Sequence, residues 1–277
     1  MDPTSLLPVI QKYEEQVLAS FTGAPWLQLA EEKEILTRFY HLLSTQSEVL
    51  ARNAWVGHLT ASALLVDEKG ERVALTHHSK LGMWLQFGGH IDPEDPSLLE
   101  AAKRETREES GCSDCEPFSG PDAQLPLDID IHALPAIGTE PAHFHFDVRF
   151  LLHTKEATLS VSSESKDVKW FSFEEAFALA PETSLQRLFH KAIWKIQNMN
   201  TAAAAPFLPG LYRHYKKETL YRVLERVSHS ETLEPLVLYE ALYDNPVSKF
   251  WVRPEAMFFG KIEVDGQQVD RFTRISD

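Results

Sequence analysis

The chain has 277 residues, of which 43% are hydrophobic and 25% charged, and its formal net charge at pH 7 is −14. This composition is ordinary for a globular protein, and the length allows one large or two modest domains with ample core. The acidic charge argues against a nucleic-acid partner bound through its phosphates, and no apolar run approaches the roughly 20 residues that span a membrane. Because the first residues also lack the basic and apolar regions of a secretory signal, we expect a cytoplasmic protein.

The N-terminal part of the chain predicts helices and then a hairpin. Apolar residues at helical spacing occur on both sides of Pro25, and we expect residues 1–52 to form a helical extension packed on the domain that follows. From His58 to Ala74 the sequence is typical of a β-hairpin with Gly70 in its turn. A short strand around residues 84–87 comes next.

A strongly acidic helix follows a double glycine. Ser97 predicts a capped start of this helix, and Gly111 predicts its end. Glu105, Glu108 and Glu109 sit at i, i+3 and i+4, so their carboxylates face one way and repel one another. Oxygen ligands with room for water suit magnesium (Mg²⁺) or manganese (Mn²⁺), and such an ion would relieve the repulsion. The alternative interpretation is a solvated acidic face.

Two later segments alternate polar and apolar residues with a period of two, which predicts strands with one buried face. The polar face of the first carries Asp128, Asp130 and His132. The polar face of the second carries His143, His145, Asp147 and Arg149. A further strand at 168–171, a helix from about 173 to 180 and an amphipathic helix at 184–198 follow.

Small residues and prolines at 199–208 predict a linker between a domain at 53–198 and a domain at 209–277. Short β-branched and aromatic runs beyond the linker predict a small all-β, barrel-like domain. Aromatic and basic side chains there could stack on bases, although at this density they are more typical of a barrel core and rim. They are Tyr212, Arg213, His214, Tyr215, Trp251 and Arg253.

The double glycine and the acidic helix resemble the Nudix box, whose pattern is G-x5-E-x7-R-E-U-x-E-E-x-G-U with U aliphatic. Gly89 matches the leading glycine, and the second half of the pattern is matched by Arg104, Glu105, Glu108, Glu109, Gly111 and Cys112. Thr106 replaces an aliphatic residue, and one extra residue separates the two halves. Counting forward from the glycine places Asp95 at the first acid, whereas counting back from the arginine places Pro96 there.

This resemblance implies an α/β fold, the Nudix α/β/α sandwich, between the helical extension and the all-β domain. It also implies a metal-dependent pyrophosphohydrolase that cleaves a nucleoside diphosphate linked to another group, which is a small-molecule, nucleotide-derived substrate. The implied catalytic residues are Glu105, Glu108 and Arg104. The implied ligands of Mg²⁺ or Mn²⁺ are Gly89, Glu105, Glu108 and Glu109. In this family the base is sometimes a carboxylate outside the box, for which Glu164 is a candidate.

Several histidines fall near the box. An uncharacterised Nudix subgroup carries stretches similar to W-L-Q-x-G-G-H and H-x-H-x-D-V-R-F, which occur here at Trp84 to His90 and at His143 to Phe150. We therefore predict a substrate or metal pocket lined by histidines, since imidazole binds transition metals or hydrogen-bonds phosphate. Its predicted substrate-binding residues are His90, His132, His143, His145 and Arg149. Taken singly, each histidine is more typical of a satisfied structural or surface residue.

Alternative interpretations stay open at this point. A Nudix fold can also serve as a ligand-binding regulatory module or as a diphosphate isomerase, although the three helix glutamates favour hydrolysis. Residues 209–273 resemble a bacterial family of unknown function, which supplies neither chemistry nor a partner, and a homodimer is compatible with the sequence. The C-x-x-C spacing of Cys112 and Cys115 favours a structural role over a zinc site, because no second pair completes it.

Overall fold

The computed structural model describes residues 6–21, 24, 26–119, 122–136, 138, 141–162, 165–180, 182–202, 209–216, 219–229, 235–264 and 267–276. The chain divides into two compact units, Met1–Ala192 and Ile193–Asp277. Glu164 and residues 203–208 of the predicted linker lie outside the described residues. None of the helices in the described part of the chain is long and apolar enough to cross a membrane.

The N-terminal helices are present as predicted. Helix α1, Leu6–Lys12, continues into a π-helical turn, Tyr13–Leu18, and α2 spans Leu29–Thr45. Tyr13 and Phe39 are fully buried, and each such side chain contributes about 2 kcal/mol through the removal of apolar surface from water. The Phe39 ring packs edge-to-face on Phe146, with 5.2 Å between the ring centroids, and so joins the helical extension to the sheet.

The first unit contains an eight-stranded sheet. Its strands are β1 His58–Asp67, β2 Arg72–His78, β3 Trp84–Leu85, β4 Phe87–His90, β5 Glu116–Pro117, β6 Asp128–Leu134, β7 His143–Thr154 and β8 Ser165–Ser172. Strand β1 pairs in parallel with β7 and antiparallel with β2 and β4, while β6 pairs antiparallel with β7. Every residue of β1 except Asp67 is buried, as expected for a strand at the centre of a covered sheet.

The acidic helix is α3, Leu98–Ser110. The Ser97 side chain accepts a hydrogen bond from the backbone N–H of Glu100, and Gly111 adopts the left-handed conformation with φ of 70°. Both predicted ends of the helix are therefore confirmed. Helix α3 packs against β1, β4 and β7, which places its acidic residues beside the double glycine.

Two further helices complete the unit. Helix α4, Phe173–Leu179, begins with a full capping box between Ser172 and Glu175, and α5 spans Thr183–Ala202. The latter extends past the predicted end at 198 into the predicted linker. Cys112 is buried and donates its thiol to Thr154, and Cys115 is also buried, which fits a structural role for both.

Beyond the end of α5, whose last residues already belong to the second unit, the described part of that unit is all-β apart from one short helix. Its elements are β9 Gly210–His214, β10 Leu220–Ser228, β11 Pro235–Ala241, β12 Phe250–Pro254, α6 Glu255–Phe259, β13 Lys261–Val264, β14 Gln267–Asp270 and β15 Phe272–Ser276. Five of these strands form an antiparallel sheet in the order β12-β11-β10-β9-β15. Aromatic side chains build its core: Phe258 stacks on Phe272 with 4.1 Å between centroids, and Tyr212, Tyr221 and Tyr239 are buried with them.

Candidate functional site

The double glycine allows strand β4 to approach both its neighbour and helix α3. Gly88 pairs with Ser62 of β1, and a Cβ atom at Gly88 would lie 2.2 Å from the Ser62 Cβ. A Cβ atom at Gly89 would lie 2.8 Å from the Glu105 carboxylate carbon. Any larger residue at either position would force β4 or Glu105 to move. The glycines therefore bring the backbone of β4 against the first box glutamate.

Arg104 is the centre of the acidic cluster. Its Nε and Nη2 atoms donate to the two carboxylate oxygens of Asp95 at 3.1 and 2.9 Å. Its Nη1 atom donates to Glu105 at 2.9 Å and to Glu108 at 3.3 Å. Nη2 also donates to the backbone oxygen of His90 at 2.9 Å. One guanidinium thus fixes two of the box glutamates and the backbone at the end of β4.

Asp95, rather than Pro96, is the acid that contacts Arg104. The extra residue of the box lies between Asp95 and α3, so it lengthens the loop and leaves the bidentate pair intact. Burial alone would raise the pKa of Asp95, but hydrogen bonds from Arg104 and from the Asp92 backbone hold that pKa below its usual value. Asp95 is therefore a buried anion at pH 7.

The three box glutamates occupy different environments. Burial raises the pKa of Glu105, as do the charges of Glu108 and Asp92, while Arg104 opposes the shift. The Glu108 side chain is 59% exposed. Glu109 is buried and accepts a hydrogen bond from the backbone N–H of Gly88 at 3.1 Å. The set therefore offers a half-buried, an exposed and a buried carboxylate, and such oxygen donors fit Mg²⁺ or Mn²⁺.

Five histidines from four strands meet beside this cluster. In the ladders, His58 of β1 pairs with His145 of β7, and His145 pairs with His132 of β6. Centroid distances from the His145 ring are 4.7 Å to His58, 5.2 Å to His90, 5.2 Å to His143 and 5.4 Å to His132. The structure thus brings together the four histidines that the sequence singled out and adds His58.

Burial lowers the pKa of two histidines of this cluster. Burial and the neighbouring histidines lower the pKa of His145 to about 2. Burial, Arg52 and two of the histidines lower the pKa of His90 to about 4. The Nδ1 atom of His143 lies 2.8 Å from the backbone oxygen of Pro141, which can only accept, so Nδ1 carries the hydrogen. The other ring nitrogen of His143, Nε2, is consequently the one that can accept a hydrogen bond or bind a cation.

Arg149 lies in a buried ionic network. Its guanidinium donates to Asp147 at 3.1 Å, to Asp130 at 2.9 Å and to Asp128 at 3.3 Å. Asp147 also accepts from Thr60, Ser62 and Gln86, and Asp128 and Asp130 accept from Arg187. Lys191 extends the network to Glu32 of α2. Sequence reasoning found Arg149 and the three aspartates through their alternation, but it missed Arg187, Lys191 and Glu32.

Two family models match the chain. A family model described as NUDIX domain matches residues 57–192, and a model described as protein of unknown function (DUF1653) matches residues 210–274. Among curated proteins, none matches the chain.

Parts of the chain are similar to solved structures. A NUDIX-family hydrolase from Clostridium perfringens is 23% identical over 49% of this chain and 95% of that chain, with a TM-score of 0.39. The NUDIX domain of Shewanella oneidensis NrtR, complexed with ADP ribose, is 17% identical over 57% of this chain and 97% of that chain, with a TM-score of 0.36. A DUF1653 protein from Bordetella bronchiseptica is 28% identical over 26% of this chain and 90% of that chain, with a TM-score of 0.25.

Proposed function

We propose that the chain is a metal-dependent pyrophosphohydrolase, because residues 57–192 belong to the Nudix family of hydrolases, which act on phosphoanhydride bonds. Residues 210–274 belong to the DUF1653 family. The proposed substrate is a nucleoside diphosphate linked to another group. The observation that carries the proposal is the Arg104-centred cluster, in which Glu105 lies against Gly89 and Glu108 lies beside it.

The proposed metal ligands are the carboxylates of Glu105, Glu108 and Glu109 with the backbone carbonyl of Gly89. When bound there, Mg²⁺ or Mn²⁺ would neutralise diphosphate oxygens and lower the pKa of a coordinated water. Glycine at position 89 suits this role because the absent side chain leaves the backbone open to the carboxylate opposite. The Gly88 N–H holds Glu109 in place on the other side.

Glu105 is the proposed general base. Burial raises its pKa, and a carboxylate with a raised pKa holds a proton taken from water more readily than an exposed one. The hydrogen bond from Arg104 at 2.9 Å fixes its orientation. Arg104 is therefore proposed to position Glu105 and Glu108, and Asp95 to position Arg104.

The four histidines predicted to bind the substrate are part of the same proposal. The His132 side chain is 40% exposed, and its Nδ1 atom lies 3.4 Å from Asp130. Arg149 is proposed to hold Asp130 and Asp147 beneath the histidines, since its guanidinium already donates to these carboxylates.

A product assay with matched variants tests the proposal. The full chain is screened against nucleoside diphosphate sugars, dinucleotides, nucleoside triphosphates and capped RNA, each with Mg²⁺ and with Mn²⁺. We expect cleavage to phosphate monoesters in at least one class, a loss of 10²-fold or more in Glu105→Gln, and no loss in Glu174→Gln, an exposed glutamate of α4. Ligand binding without any cleavage would overturn the proposal in favour of a regulatory module.

A further inference from the structure

Three of the five histidines already have the arrangement of a metal site. One ring nitrogen from each of His58, His143 and His145 lies within 4.8 Å of the others. In a tetrahedral zinc site with Zn–N bonds of about 2.0–2.1 Å, ligand nitrogens are about 3.3 Å apart. The two nitrogens that lie farthest apart therefore need to approach each other by at most roughly 1.5 Å, which a rotation of the side chains can provide. Paired strands hold the backbone of the three residues, so the set is assembled by the fold itself.

Two of these histidines, His143 and His145, have a ring nitrogen that is suited to bind a cation. His143 donates from Nδ1 to the Pro141 backbone oxygen, which directs the lone pair of Nε2 away from that loop. A metal-bound histidine commonly makes such a hydrogen bond with its other nitrogen. The Nε2 atom of His145 is buried and has no hydrogen-bond partner among the described residues. A buried nitrogen in that state destabilises the fold unless something binds it.

We propose that His58, His143 and His145 form a second metal site, which takes a transition-metal dication of the Zn²⁺ type and is chemically distinct from the carboxylate site of the box. Three imidazoles with one open position are the donor set of a catalytic zinc site, whereas Mg²⁺ prefers oxygen donors. The proposal goes beyond the proposed hydrolysis and does not depend on it.

The surroundings of the set agree with metal binding. The His90 ring stacks on His58 with 5.1 Å between centroids, and the His132 ring lies 5.4 Å from His145. Both can supply a further nitrogen or hydrogen-bond a bound water, and the partly exposed His132 connects the cluster to solvent.

The test is a metal titration of the full chain. Protein stripped with a chelator is loaded with Zn²⁺, measured by elemental analysis, and with Co²⁺, whose visible absorption reports nitrogen ligands in a four-coordinate site. We expect one tightly bound equivalent and a Co²⁺ band that is displaced by Zn²⁺. His145→Asn and His143→Asn should each lower the affinity at least about 10-fold.

Two controls separate this site from the box and from folding. His190→Asn removes a half-buried histidine that stacks on Trp26 outside the cluster, and Glu108→Gln disables only the box, so both should keep the equivalent and the band. Loss of the band in Glu108→Gln, or its retention in His145→Asn, would overturn the proposal. If a variant does not fold, the nuclear magnetic resonance shifts of the wild-type protein labelled with ¹⁵N-histidine provide the test instead. Zn²⁺ must shift the ring nitrogens of His58, His143 and His145, and unchanged shifts refute the site.

Discussion

Replacing Asp95 with asparagine tests whether this acid anchors the box in spite of the extra residue after it. The carboxylate is 8% exposed and receives two hydrogen bonds from Arg104 and one from the Asp92 backbone at 2.8 Å. Asparagine keeps one acceptor oxygen and loses the negative charge. At least one charge-assisted hydrogen bond is lost, and such a bond contributes about 1.5–3 kcal/mol.

The expected destabilisation is about 2–3 kcal/mol. It stays below the 3–5 kcal/mol typical of an orphaned buried charge, because Arg104 keeps Glu105, Glu108 and the His90 backbone oxygen as partners. For a domain of this size the melting temperature should fall by roughly 4–12 °C. Hydrolysis should fall by about 10–100-fold in kcat, because a displaced Arg104 no longer orients Glu105.

Thermal melts and steady-state kinetics measure the two effects of Asp95→Asn. Asp92→Asn is the matched control, since Asp92 is 51% exposed and lies 3.7 Å from Arg104, so it should change stability by less than about 1 kcal/mol. Pro96→Ala should leave both measurements close to wild type. The reasoning is refuted if Pro96→Ala costs as much as Asp95→Asn, or if Asp95→Asn melts like the wild type.

Three other predictions concern stability. Lys191→Met should lower the free energy of unfolding in urea by about 3–5 kcal/mol, because it removes the nearer of the two cations that the buried Glu32 and Asp128 share. A loss under about 1 kcal/mol would contradict the network. Because the pKa of His145 is lowered in the folded protein, the unfolded chain binds a proton at a higher pH than the folded chain does. The free energy of unfolding should therefore fall as the pH drops below about 6.5, by up to about 1.4 kcal/mol per pH unit. If His145→Asn showed the same dependence on pH as the wild type, this prediction would be contradicted. Gly88→Ala should yield little folded protein, since its Cβ would meet Ser62 at 2.2 Å, and a wild-type circular dichroism melt would contradict that.

Local patterns in the sequence were sufficient to predict the secondary-structure elements and most of the Nudix box. Ser97 and Gly111 mark the two ends of α3 because capping is decided by residues within one turn of a helix terminus. The alternation at 128–134 and 143–150 predicted which residues share a face, since side chains of a strand alternate strictly. The expectation that only the apolar face is buried was wrong, because most of the polar side chains on these strands are also buried, where they pair with one another. The histidine face could therefore be predicted from the sequence.

The neighbours of that face could not be predicted. His58 reaches the cluster through the parallel pairing of β1 with β7, and no local pattern sets the register between strands so far apart in the chain. A single histidine at the start of an apolar strand has the same pattern whether it is structural or a ligand. Arg187 and Lys191 come from an amphipathic helix, where charged residues normally face solvent, and only tertiary packing turns them inward.

The charge balance around the site explains why a polyanionic substrate would require bound cations. Arg149, Arg187 and Lys191 are the buried cations of the described network, and they are opposed by Asp128, Asp130, Asp147 and Glu32. Burial holds His90 and His145 neutral, and Arg104 is paired with Asp95. The protein groups of the site thus have no surplus of positive charge, and the whole chain carries −14. Under the proposed function, attraction for a diphosphate would come from metal ions bound by the box glutamates, whose mutual repulsion favours the binding of such cations.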